Sequence, residues 1–99
     1  MNINITARKF KAKDSLKQFI TDEVISLEKY YDGILDVDVI LSYIHEKDSI
    51  KTAEIIAKIP GKIVNVSEDS DDFPKSINLG IDKLKRVLKK EKQKRTERK

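Results

Sequence analysis

The feature that most constrains this chain is a double alternation between Asp36 and Ile59. In "DVDVILSYIHE" the residues Val37, Val39, Leu41 and Tyr43 fall on one side of an extended backbone, and in "KTAEIIAKIP" Ala53, Ile55, Ala57 and Ile59 do the same. Successive side chains of a strand point to opposite faces, so each segment has one apolar and one polar face. Two such strands in succession, linked through "KDS" and followed by Pro60-Gly61, predict an antiparallel hairpin that needs a cover on one side only. "NINIT" adds a short strand with Ile3 and Ile5 on one face, and "KIVNVSE" adds a more polar strand after the Pro-Gly turn.

Two helices supply the cover. From Asp14, an expected N-cap, Leu16, Phe19, Ile20, Val24, Leu27 and Tyr31 follow at spacings of three and four, ending near Gly33. The acids of "EDSDDFP" precede a second helix that holds Pro74 in its first turn, where a missing N–H costs nothing. Its apolar stripe is Phe73, Ile77, Gly80, Ile81, Leu84 and Leu88. The order is β-α-β-β-β-α, and a right-handed crossover sets the first strand parallel beside the second. The expected fold is a two-layer α+β sandwich, a four-stranded sheet with two helices on one face and water on the other. At 99 residues the chain has room for one core. We expect a single domain over residues 1–92 and a basic, flexible tail over 93–99.

Charge is unevenly distributed. Residues 73–99 hold 11 Lys/Arg against Asp82, Glu91 and Glu97, a net +8, whereas residues 1–72 hold 10 against 14 acids, a net −4. At about 100° per residue, Lys83, Arg86, Lys90 and Lys94 share a sector of roughly 80° on the second helix, away from its apolar stripe, with Lys89 flanking them. Like charges so spaced repel by a few tenths of a kcal/mol per neighbouring pair. Cations near a helix C-terminus complement the macrodipole, but that accounts for one turn, not for a row more than three turns long. A polyanion lying along the face accounts for the whole row. Arg8, Lys9, Lys11 and Lys13 form a second basic segment, which matters only if it lies beside the row.

Catalytic chemistry finds little support. There is no cysteine, and His45 is the single histidine, read as a surface residue beside a strand end. Neither a nucleophile motif, a phosphate-cradling glycine loop nor a metal-ligand spacing occurs. Strand alternation explains Asp36/Asp38, and helix capping explains Asp71/Asp72. We therefore expect no enzyme activity, no cofactor, no metal and no small-molecule substrate. No apolar run reaches the ~18 residues of a membrane span, and "MNINITARKF" lacks the core of a signal peptide, so a cytoplasmic protein without a membrane partner is expected. Of the pair closing the first helix, Tyr31 is expected in the core and Tyr30 at its rim.

Several segments together, "MNINITARKF", "SLEKYYDGI", "AEIIAKIPG" and above all "DDFPKSINLGIDKLKRVLKK", make the sequence similar to the short ribosome hibernation promoting factor and ribosome-associated translation inhibitor family. The resemblance runs nearly the whole chain. It implies an architecture like that of double-stranded-RNA-binding domains, and a factor that binds the small ribosomal subunit and its rRNA where mRNA and tRNA anticodon arms would sit, silencing translation during stress or stationary phase. Lys83, Arg86 and Lys90 match the family's basic positions on the last helix, Lys29 the one before its aromatic pair, and Arg8 a further one. The chain departs from the pattern at Pro74, which follows Phe73 where the family usually has tyrosine, and at Val87, where glutamine is common. The long tail of the inhibitor paralogue and the dimerising domain of long members are absent from this sequence, which implies the short promoting-factor type, monomeric off the ribosome. A general double-stranded-RNA-binding module fits the same charge pattern. A transcription-regulator-type protein-interaction module is a second alternative, but it calls for binding through an apolar patch with little salt dependence, and the sequence shows no obvious exposed patch.

Overall fold

The computed structural model describes residues 1–44 and 49–97, with side chains to Lys94. His45 and most of the hairpin connection expected around "KDS" lie outside the described residues, as do positions 98 and 99. The elements are β1 (Asn2–Ala7), α1 (Asp14–Ile25), a 3-10 turn (Ser26–Lys29), β2 (Asp36–Ile44), β3 (Ile50–Ile59), β4 (Lys62–Ser70) and α2 (Phe73–Glu97). The sheet order is β1-β2-β3-β4. β1 runs parallel to β2, with Ile3 opposite Val37, and the other two pairings are antiparallel. This is the topology and layering expected from the sequence.

Alternation decides the two faces of the sheet. Val37, Val39, Leu41, Ala53, Ile55, Ala57, Ile59, Val64 and Val66 are buried beneath the helices, while their neighbours in each strand point away. From α1 and its 3-10 turn, Ile20, Val24 and Leu27 enter the core, joined by Tyr31; from α2 come Phe73, Ile77, Ile81, Leu84 and Leu88. Gly61 closes the β3–β4 turn at φ 79°, a left-handed conformation that suits glycine. Gly80 serves the packing instead: a Cβ there would lie 2.9 Å from Ile55 Cδ1 and 3.8 Å from Val66 Cγ2, so its absence lets α2 settle onto β3 and β4.

Two helix boundaries differ from expectation. Asp14 is the first helical residue rather than the cap; Lys13, extended at ψ 151°, occupies the cap position, and its side chain caps nothing. The carboxylate of Asp14 still sits in the first turn, where negative charge meets the positive end of the helix dipole. Regular helix stops at Ile25, well before Gly33, and the tighter 3-10 turn carries the chain to Lys29. Tightening of this kind is common at a helix end, where carbonyls lose their partners four residues on.

The first turns of α2 are pinned to the sheet by polar contacts. Buried Ser76 donates from Oγ to the Lys51 carbonyl at 2.7 Å, and Ser70 Oγ lies 2.6 Å from Ser76 Oγ. Phe10 stacks on Phe73 at 5.2 Å between centroids, nearly parallel at 13°, and meets Tyr43 edge-on at 5.2 Å. The connection after β1 is therefore tied to the beginning of α2, and both helices start at the same end of the sheet.

Candidate nucleic-acid interface

Every turn of α2 between Phe73 and Leu88 gives part of its circumference to the core and leaves the rest to solvent. Lys83, Arg86, Lys90 and Lys94 all emerge on the exposed side, so the spacing read from the sequence translates into a row of cations along the outer crest. Lys83, Arg86 and Lys90 stand i, i+3 and i+7, close to one line along the helix.

Acids reach this row from the flank. Lys83 Nζ lies 3.1 Å from Glu68 Oε1 on β4. Lys94 Nζ lies 3.7 Å from Glu91 Oε1, which is held more tightly by Lys62 Nζ at 2.6 Å. That hydrogen bond from Lys62 is the main reason the Glu91 carboxyl is held below the usual carboxylate range; partial burial opposes the shift, and the positive charges of Lys62 and Lys94 add to it. Arg86 and Lys90 have no ion pair or side-chain hydrogen bond among the described residues. Among the described residues, the centre of the row can thus meet an anion without first breaking an ion pair or a side-chain hydrogen bond.

Lys89 belongs to a second line. Its Nζ sits 5.4 Å from the centroid of the Tyr30 ring, and Lys85 Nζ sits 5.2 Å from the same centroid. One phenol ring at the end of the 3-10 turn thus meets two ammonium groups spaced i, i+4 on α2, a cation–π arrangement worth about 0.5–1 kcal/mol per contact at an exposed site. Lys29, exposed and next to Tyr30 in the chain, is thereby brought alongside the second half of α2. Lys85 was not among the candidates read from the sequence: its partner ring lies 55 positions away in another element, and no local pattern reports that.

Arg8 is placed elsewhere. It follows β1 directly, donating its backbone N–H to the Leu41 carbonyl at 2.9 Å, at the sheet end where α2 begins. Lys83 is ten residues into the chain from Phe73, roughly 15 Å along the helix axis. The segment holding Arg8, Lys9, Lys11 and Lys13 therefore lies at the start of α2, roughly 15 Å along the axis from the first cation of the row and not beside it, whereas Lys29 lies near the second half of the helix. Phe73 and Pro74 line a notch with Lys13, Phe19 and Lys51 there, and Phe73 itself is largely buried against Phe10.

A row of exposed cations of this kind can meet the charges of a polyanion. Among the described residues no group of three or more histidine, cysteine, aspartate or glutamate side chains is arranged to hold a metal ion, and no helix is long and apolar enough to cross a membrane.

Comparison with known proteins agrees over nearly the full chain. Residues 3–96 match the family model described as Sigma 54 modulation protein / S30EA ribosomal protein. A ribosome hibernation promoting factor of Escherichia coli K12 is 33% identical over 94 residues, covering 95% of this chain and 96% of that protein. One from Azotobacter vinelandii is 31% identical over 98 residues, covering 99% and 89%. Among solved structures, a ribosomal subunit interface protein from Coxiella burnetii superposes with a TM-score of 0.84 at 25% identity, covering 94% of this chain and 99% of that one. The N-terminal domain of Thermus thermophilus Protein Y gives 0.81 at 28% identity, covering 91% and 98%.

Proposed function

The chain belongs to the Sigma 54 modulation protein / S30EA ribosomal protein family, and from that membership we propose that it is a ribosome hibernation factor of the small subunit. It binds small-subunit rRNA at the mRNA and tRNA sites and blocks translation by occupying them, in the cytoplasm, during stress or stationary phase. Lys83, Arg86 and Lys90 form the central contacts, Lys94 and Lys89 lengthen and widen them, and Lys29 and Arg8 meet RNA at the two ends. The protein acts as a monomer and by occupancy, without catalysis or a cofactor.

The observation that carries this function is the crest of α2: a line of cations whose middle members, Arg86 and Lys90, are paired with no acid among the described residues. Cations left unpaired at a cost in repulsion are accounted for by an external polyanion. Contacts of this type position a protein on a nucleic acid and read the shape of its backbone, with little dependence on base sequence.

Sedimentation of purified small subunits with the pure protein through sucrose gradients, over a salt series, tests the proposal. With about five phosphates engaged, log K falls against log salt with a slope of about −4. Failure to co-sediment at low salt overturns it. So does equal affinity, at the same salt, for small subunits and for a naked RNA duplex.

A further inference from the structure

The face of the sheet turned away from the helices is charged in the opposite sense. Its outward residues are Asn2, Asn4 and Thr6 on β1; Asp36, Asp38, Ile40, Ser42 and Ile44 on β2; Ile50, Thr52, Glu54, Ile56 and Lys58 on β3; Ile63, Asn65, Ser67 and Asp69 on β4. Four carboxylates therefore stand against one cation.

Register arranges these residues in two crossing diagonals. Asp38 faces Ile56, Glu54 faces Ile40 and Ser67, and Asp69 faces Thr52, so Asp38, Glu54 and Asp69 descend one diagonal. Ile40, Ile56 and Ile63 follow the other, since Ile56 faces Asn65 and Ile63 faces Lys58. Diagonal neighbours on a sheet are roughly 7–8 Å apart, within reach of one extended polypeptide. Ile63 is 61% exposed, and Ile44 and Ile50 extend the apolar surface at 55% and 42%. Asp36 and Glu54 have no ion pair or side-chain hydrogen bond among the described residues.

Resting on the ribosome-bound state proposed above, we infer that this open face docks a lysine- and arginine-rich protein segment while α2 lies on rRNA. Charge decides the class of partner. Four carboxylates repel phosphates, so RNA is excluded from the face, whereas basic side chains pair with the acid diagonal and their aliphatic stems cover the isoleucines. The factor then lies between rRNA on its helix side and a basic protein on its sheet side.

The test uses the full chain carrying a photoreactive benzoylphenylalanine at Ile63, bound to purified small subunits. Irradiation is expected to join it to a ribosomal-protein peptide rich in lysine and arginine, identified by mass spectrometry. The double substitution Asp36→Lys/Glu54→Lys is expected to reduce that adduct about tenfold while its co-sedimentation and melting temperature stay close to those of the parent. In parallel, an alternating arginine–leucine dodecapeptide titrated into the free protein should shift the amide resonances of Asp38, Glu54 and Ile56, and should not do so in the double variant. Adducts on rRNA, adducts on a second copy of the chain, or undiminished adducts with the double variant overturn the inference, as does an absence of adduct despite full co-sedimentation. Loss of co-sedimentation by the parent protein would instead overturn the ribosome-bound state itself, which the gradient reports separately.

Discussion

Outside the core, the crest of α2 and the open face of the sheet share one scaffold but carry opposite charge. On α2 the row Lys83, Arg86, Lys90 and Lys94 runs beside the buried stripe of Leu84 and Leu88, while on the sheet Asp38 alternates with buried Val37 and Val39, and Glu54 with buried Ala53 and Ile55. A helix repeats every 3.6 residues, so a cationic row and an apolar stripe run side by side without sharing positions. A strand repeats every two, so Asp38 and Glu54 are each locked between two buried neighbours, whereas Asp69, flanked by half-buried Glu68 and Ser70, lies beyond the buried stretch of β4. The difference teaches that charge on either face can be altered without touching the core, but a shift of strand register would exchange face and core at once.

The largest effect expected from breaking this contrast is on the crest. Lys83→Glu/Arg86→Glu/Lys90→Glu gives it the sign of the sheet face, and affinity for small subunits should fall about a thousandfold. The melting curve should change little, because exposed substitutions usually stay within about 0.5 kcal/mol each. Unchanged binding would show that another surface meets the rRNA.

Gly80→Val tests the opposite side of the same helix. The added side chain meets Ile55, which is fully buried, and overpacking should lower stability by about 1–3 kcal/mol in urea titration. Stability equal to the parent would mean that α2 can lift from β3 and β4 at no cost.

A smaller effect is expected at Glu91, where helix and sheet are joined by charge. Its folded pKa lies below the unfolded value, so the stabilisation is complete above the ordinary carboxylate pKa of about 4.3 and is lost as pH falls through the lowered folded value. Glu91→Gln should thus melt below the parent near neutral pH and converge with it in acid. A pH-independent difference in melting temperature would assign the effect to packing.

The smallest change should follow truncation after Lys92. The segment removed, "QKRTERK", contains no apolar residue, so the melting temperature should stay within a few degrees, with a modest loss of affinity at low salt. A markedly lower melting temperature would mean that the end of α2 stabilises the fold.

Legibility in the sequence followed the range of the forces involved. Strand faces and the stripe Phe73, Ile77, Gly80, Ile81, Leu84 and Leu88 were readable because periodicity reports burial directly. The cap at Lys13 and the 3-10 turn after Ile25 were not: Asp14 has the composition of a cap, and local tightening at a helix end leaves no periodic trace. The row on α2 was readable as spacing, but its pairing was not. Glu68 was counted with a different segment, although it lies 3.1 Å from Lys83.

By itself, then, the sequence determined the order of elements, the inward residues of each strand and helix, and the excess of positive charge after Phe73, because these depend only on local repeats and composition. Tertiary structure alone decided that Arg8 and Lys29 stand at opposite ends of α2, that Tyr30 holds Lys85 and Lys89, and that acids of three strands align across the open sheet. The physical reason is the same in each case. Contacts between residues distant in sequence are fixed by the register and packing of elements against one another, and neither is encoded at a single position.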